Sequence, residues 1–132
     1  MYLLDSNICI YVINNRPIKV VKKIKELIPP EIKLSSISVA ELEYGVSKSQ
    51  NREKNRHALV DFASAFDIID FSGEDAEIYG IIRADLEKRG QIIGPYDMQI
   101  AAQALSRNYV LVTNNINEFS RVNGLKIENW AE

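Results

Sequence analysis

YVLVT at residues 109–113 and YLLD at residues 2–5 are runs of apolar residues with no polar residue alternating between them. A strand solvated on one face shows a period of two, whereas a strand covered on both faces can be apolar throughout, as in a parallel sheet between two helical layers. The chain around them fits that frame. YLLD leads into a helix from Asn7, and a second helix runs from Pro17 to Ile28, ahead of Pro29-Pro30. A strand near Lys33–Ile37 precedes a helix over Ser38–Ser47, and a helix over Asn55–Phe66 precedes a strand over Ile68–Phe71. Ser72 opens a helix to Arg89 that Gly90 closes. Gly94-Pro95 starts a helix to Asn108 that feeds YVLVT, followed by a helical turn at Ile116–Val122 and a last strand at Lys126–Glu128. Strands and helices alternate, so the expected class is α/β with a central parallel sheet flanked by helices on both faces. Residues 1–132 read as a single domain, without repeat, linker or low-complexity tract.

Composition sets the outer bounds. With 46% hydrophobic and 26% charged residues in 132, the chain can bury one continuous core. No stretch approaches the roughly 18 to 20 apolar residues of a membrane span, and MYLLD lacks a signal peptide's basic flank and cleavage site, so a cytoplasmic protein is expected. Cys9, the only cysteine, sits in ICIYVI and reads as core packing. A net charge of −2 by itself argues against nucleic acid, yet residues 1–56 carry 10 Lys and Arg against 6 acids, whereas residues 57–132 carry 6 against 12. Setting aside four acids for a metal site leaves a basic balance elsewhere, and any nucleic-acid contact is expected to draw more on the basic first half than on the second.

Four acids fall at or near helix starts: Asp5 in LLDSN, Glu41 in SVAELEYG, Asp97 in GPYDMQIAAQAL and Glu118 in VTNNINEF. Each also suits a purely structural role. Asp5 can cap the first helix, Ser38-x-x-Glu41 and Asn115-x-x-Glu118 have capping-box spacing, and Asp97 is the third helical residue after Gly94 and Pro95. Ser72-x-x-Asp75 is read as a cap alone. In an α/β sheet, however, residues following strands gather along one edge, where ligands bind. Carboxylates brought together there repel, and a hard divalent cation neutralises them. Oxygen ligands without a His or Cys cluster favour magnesium, with manganese as a substitute. Such a site hydrolyses phosphodiesters by activating water and stabilising the leaving oxygen. Ser6, Asn7 and Asn115 are suited to orienting water or phosphate nearby. His57, the only histidine, lies in a polar helix as a surface residue, which excludes a histidine-pair ribonuclease. In YDMQIAAQAL, Asp97, Ile100, Ala101, Ala104 and Leu105 share one face, and the alanines let that helix lie close to the sheet.

Three segments, MYLLDSNICIYVI, SSISVAELEYGVSKS and IIGPYDMQIAAQALSRNYVLVTNNINEFSRVNGLKIENW, together resemble the PIN-domain toxins of bacterial toxin and antitoxin pairs, the VapC type. They cover nearly the whole chain in the family's order and spacing. The resemblance implies a Rossmann-like PIN fold and a magnesium-dependent endoribonuclease acting on structured RNA, often tRNA. The TNN…EF and GPYD variants resemble members that cut initiator tRNA in the anticodon region. It also implies a cognate antitoxin whose tail approaches the acidic site, in a hetero-oligomer built on a homodimer. By position, Asp5 and Asp97 match the family's principal metal-binding aspartates and Glu41 its acidic glutamate, while Ser6 stands where threonine is commoner. The fourth place stays open: many members have an aspartate where this chain reads Asn114-Asn115, so Glu118 supplies the charge or a second ion binds weakly.

Two other readings stand beside this one. An acid-site phosphatase with Asp5 as nucleophile needs a second aspartate two residues on, where this chain has Asn7. A non-catalytic RNA- or protein-binding module could share the fold, although it gains nothing from clustered acids.

Overall fold

The computed structural model describes residues 1–132. Five strands form one parallel sheet: β1 (Tyr2–Leu4), β2 (Ile32–Ser35), β3 (Asp67–Ile69), β4 (Val110–Val112) and β5 (Lys126–Glu128), in the order β3-β2-β1-β4-β5. The helices are α1 (Ser6–Ile13), α2 (Ile18–Lys25), α3 (Ser36–Ser47), α4 (Arg52–Ala63), α5 (Gly73–Lys88), α6 (Pro95–Arg107) and α7 (Ile116–Phe119). None is long and apolar enough to cross a membrane.

The apolar strands have the two-sided burial expected of them. Successive side chains point to opposite faces of a strand, and β1 divides accordingly: Leu3 joins a core with Ile82, Leu86, Ile100 and Leu111, while Leu4 joins a second core with Ile8, Leu34, Leu42 and Val112. The first core lies under α5, α6 and α7, and the second under α1, α3 and α4. Cys9 is buried in the second. Burial pushes its thiol up, as does the nearby Asp5 charge, so it remains a packed thiol.

Several boundaries differ from expectation: β2 and β3 lie one to two residues earlier than expected, α1 starts one residue earlier and α7 ends at Phe119, and three helix boundaries shift for clear local reasons. The second helix ends at Lys25 rather than Ile28, because a residue before proline is driven out of the helical region; Ile28 is extended, and Pro29–Glu31 form a 3-10 turn. The fourth helix runs from Arg52 to Ala63, earlier than Asn55–Phe66, with the polar NREKN absorbed into its first turns and Glu53 at the positive end of the helix dipole. The third begins at Ser36, because Ser35 is its cap and accepts from the Ile37 amide at 3.1 Å. The expected capping box of Ser38 and Glu41 therefore does not form, and Glu41 lies in the second turn.

Chain direction across the sheet now locates the crevice. The early crossovers carry β1 outward to β2 and β3, and the chain then returns to place β4 on the other side of β1. The strand order thus reverses between β1 and β4, where an open parallel sheet offers a cleft at the carboxyl ends of its strands. Asp5 follows one of these strands and Thr113 the other.

Candidate active site

Asp5 is the fixed point of this crevice. It caps α1 through Oδ1, which accepts from the Ser6 amide at 2.8 Å, and Oδ2 accepts from the Thr113 hydroxyl at 2.8 Å. Its own amide donates to the Val112 carbonyl at 2.9 Å. The residue is only 4% exposed. Burial raises its carboxyl above the ordinary carboxylate range, and the bonds from Thr113 and Ser6 work against that rise.

Asp97 is the third residue of α6, which starts on Gly94 and Pro95 as the sequence indicated. Its carboxyl is pushed up to about 6 by burial and then by the charges of Asp5, Glu118 and Glu41. Glu41 is raised by burial and by Asp5. Four acids from four separate elements therefore share one electrostatic neighbourhood. No group of three or more His, Cys, Asp or Glu side chains is drawn together as a ready ligand set, so the acids do not form a closed cage. Their chemistry nevertheless suits a hard cation: all donors are oxygens, and their charges oppose one another. Ser38, one turn before Glu41 on α3, adds a fully buried hydroxyl with no hydrogen-bond partner.

The supporting polar residues are distributed unevenly. Ser6 holds Asp5 through its amide. Exposed Asn7 reaches Asn114 at 3.4 Å, and Asn114 in turn donates to the Tyr11 hydroxyl at 2.7 Å. Asn115 uses its amide to bond Thr113 Oγ1 at 3.0 Å, and its side chain makes no capping bond to α7. His57 is exposed on α4.

Sequence reasoning missed several groups here. Thr113 was counted as strand, yet it is fully buried and is the direct partner of Asp5. A hydroxyl closing an apolar strand beside a candidate crevice was the available signal. Gln103 in the alanine-rich helix is also fully buried. It accepts a hydrogen bond from the Ser35 hydroxyl and donates to the Ile69 carbonyl at 3.3 Å, tying the Asp97 helix to the cap of the Glu41 helix. Asp75 is more than a cap. It completes the box with Ser72 and also receives Ser106 and, at 2.7 Å, Arg107, which joins α5 to α6. Burial raises the Asp75 carboxyl, but these donors outweigh it and hold the group below its ordinary range.

Comparison with known proteins places this geometry in a lineage. The PIN domain family model matches residues 2–125. Ribonuclease VapC2 of Rickettsia felis is 47% identical over 131 residues, 98% of each chain. The tRNA(fMet)-specific endonuclease VapC of Shigella flexneri is 41% identical over 130 residues, again 98% of each. In the solved VapBC2 complex of Rickettsia felis bound to a DNA fragment from their promoter, a chain superposes with a TM-score of 0.92 at 46% identity, over 98% of both chains. With its parallel sheet, its acids at the β1 and β4 ends and these full-length matches, the chain belongs to the PIN-domain family, among the VapC ribonucleases.

Proposed function

We propose that residues 1–132 form a single nuclease domain, the toxin of a toxin–antitoxin pair, which cuts structured RNA in a divalent-metal-dependent endonucleolytic reaction. The observation that carries this reading is the convergence of like charge on Asp97, where Asp5, Glu118 and Glu41 add to burial in lifting the carboxyl to about 6. Like-charged groups from four elements are costly to hold together unless the site takes up positive charge. Asp5 and Asp97 would hold the principal ion, with Glu41 and Glu118 completing the negative field. Magnesium fits the donor set, with manganese as substitute. When bound, such an ion supplies charge neutralisation at the phosphodiester and acidifies water. The protein's own contribution is placement: Thr113 and the Ser6 amide fix Asp5, and Gln103 joins the elements bearing Glu41 and Asp97.

The relative named a tRNA(fMet)-specific endonuclease supports initiator tRNA as the substrate; a cut in the anticodon region rests on the sequence resemblance carried by TNN…EF and GPYD. A cleft of about 540 Å³ between α1, α3 and α4, lined by Ile10, Ile13, Leu42, Val46 and Leu59 with Glu41 among them, supports docking of an antitoxin segment beside the acids. The VapBC complexes of relatives support an antitoxin as partner. Ile81 on α5, 62% exposed beside Ile78, is a surface on which two copies could pair before the antitoxin completes the assembly.

The test is incubation of the purified protein with a tRNA pool in magnesium, manganese or chelator, beside Asp5→Asn. Discrete fragments that need the metal and vanish in the variant are expected. RNA that binds but stays intact with both metals would replace this reading with a non-catalytic binding module.

A further inference from the structure

Between the end of α5 and the α7 segment lies a polar cleft of about 470 Å³, lined by Arg89, Gly90, Gln91, Asn117, Ser120 and Arg121. Two arginines and no acid form its wall. Arg89 is already committed: it pairs with Asp85 at 2.7 Å and donates to the Arg121 carbonyl at 2.6 Å and to Gln91 Oε1 at 2.9 Å. Those bonds brace the end of α5 against the segment after α7. Arg121 differs. One of its guanidinium nitrogens donates to the Ile92 carbonyl at 3.2 Å, and it has no carboxylate partner. A guanidinium carries five N–H donors in a planar fork suited to phosphate oxygens, and the carbonyl bond uses only one. Gln91 accepts from Arg89 through its oxygen, which leaves its amide NH₂ free to donate.

The position of this cleft gives it meaning. Asn117 and Ser120 flank Glu118 on α7, and residues 90–92 lead into Gly94 and the first turn that carries Asp97. The charge of Glu118 is one of those that raise the Asp97 carboxyl. The cationic cleft is thus built from the two segments that present two of the site's acids, next to a centre that would repel an RNA backbone. Backbone phosphates are where positive side chains fix a nucleic acid's register.

We propose that Arg121, braced by Arg89 and assisted by Gln91 and Asn117, forms a subsite for an RNA backbone phosphate flanking the scissile one. This inference rests on the ribonuclease reading of the acidic site. It places a phosphate contact in the acid-rich second half of the sequence, whereas the charge balance alone directs attention to the first. The subsite reads no base; it holds the strand so that the phosphate to be cut lies over the acids.

The test uses the full-length protein and tRNA. Cleavage by wild type, Arg121→Gln, Arg121→Lys and Asn117→Ala is measured with KM and kcat separated. Binding of uncut tRNA by Asp97→Asn and by Asp97→Asn/Arg121→Gln is followed over a KCl series. Arg121→Gln is expected to raise KM about tenfold with kcat within about twofold, and to reduce the salt slope by about 0.7 to 0.9, the loss of one phosphate contact. Arg121→Lys should recover part of the affinity, and Asn117→Ala should show a smaller rise in KM. Unchanged KM and slope in a folded Arg121→Gln protein overturn the proposal. So does weakened antitoxin binding with RNA affinity intact, which would assign the cleft to a protein partner. If wild type binds tRNA but cuts nothing while the slope still falls in the double variant, the phosphate subsite stands and the nuclease reading fails.

Discussion

Replacing Asp97 by Asn should stabilise the protein in chelator, because that carboxylate is held where its neighbours oppose its charge. Moving the carboxyl from its ordinary 3.8 up to about 6 corresponds to about 3 kcal/mol of opposition to the charged form. The side chain keeps solvent contact, so screening reduces this to about 1 to 2 kcal/mol. Asp97 makes no side-chain hydrogen bond that Asn would forfeit, and the loss of its dipole contact at the start of α6, about 0.3 to 1 kcal/mol, offsets only part of the gain. For a raised carboxyl, the native state binds more protons than the unfolded one between about pH 4 and 6, so wild-type stability falls as pH rises through that window. The variant should lack that fall. Thermal unfolding in chelator should show Asp97→Asn melting roughly 3 to 10 °C higher at pH 8, with the gap closing toward pH 4. Magnesium or manganese should reverse the order by stabilising wild type alone. A variant less stable than wild type at pH 8 in chelator, or a gap that does not change with pH, would refute the electrostatic account.

Other perturbations test the supports. Thr113→Val keeps the shape but leaves Asp5 Oδ2 without its donor; unfolding in urea at pH 8 should show a loss of about 1 to 2 kcal/mol that fades in acid as the raised Asp5 carboxyl takes up its proton. Asp75→Asn should cost about 2 to 3 kcal/mol near neutrality, less than a fully buried pair because Arg107 reaches solvent. Since the Asp75 carboxyl is lowered, its stabilisation is present above the ordinary carboxylate range and disappears as pH falls below it, so the deficit of Asp75→Asn should vanish in acid. Gln103→Leu should cut kcat several-fold, with α3 and α6 still helical by circular dichroism; unaltered kcat would remove Gln103 from any role in placing the acids.

The fold was legible where burial acts through simple patterns. YLLD and YVLVT have apolar side chains on both faces because helices cover both faces, and Leu3 and Leu4 enter different cores. Gly94-Pro95 and Gly90 marked helix ends because their backbone demands are local; Gly90 adopts a positive φ of 65°. The start of α3 was obscured by three serines, at 35, 36 and 38, each chemically able to cap. Ser35 holds that place, and its hydroxyl is also engaged by Gln103 from a distant helix, which no local pattern can register. The same reason hid Thr113 and Gln103. Their importance comes from partners 108 and 68 positions away in sequence, whereas the four acids stood out because each falls near the start of a helix.

Calorimetric titration of manganese into the antitoxin-free protein at pH 6, in buffers of differing ionisation heat, tests most directly the claim that the acids act as one cation site. Asp97 is about half protonated there and Asp5 and Glu41 are also raised, so binding should release protons, and both heat and proton release should be lost in Asp5→Asn and Asp97→Asn. Equal affinity in wild type and both variants would contradict the account.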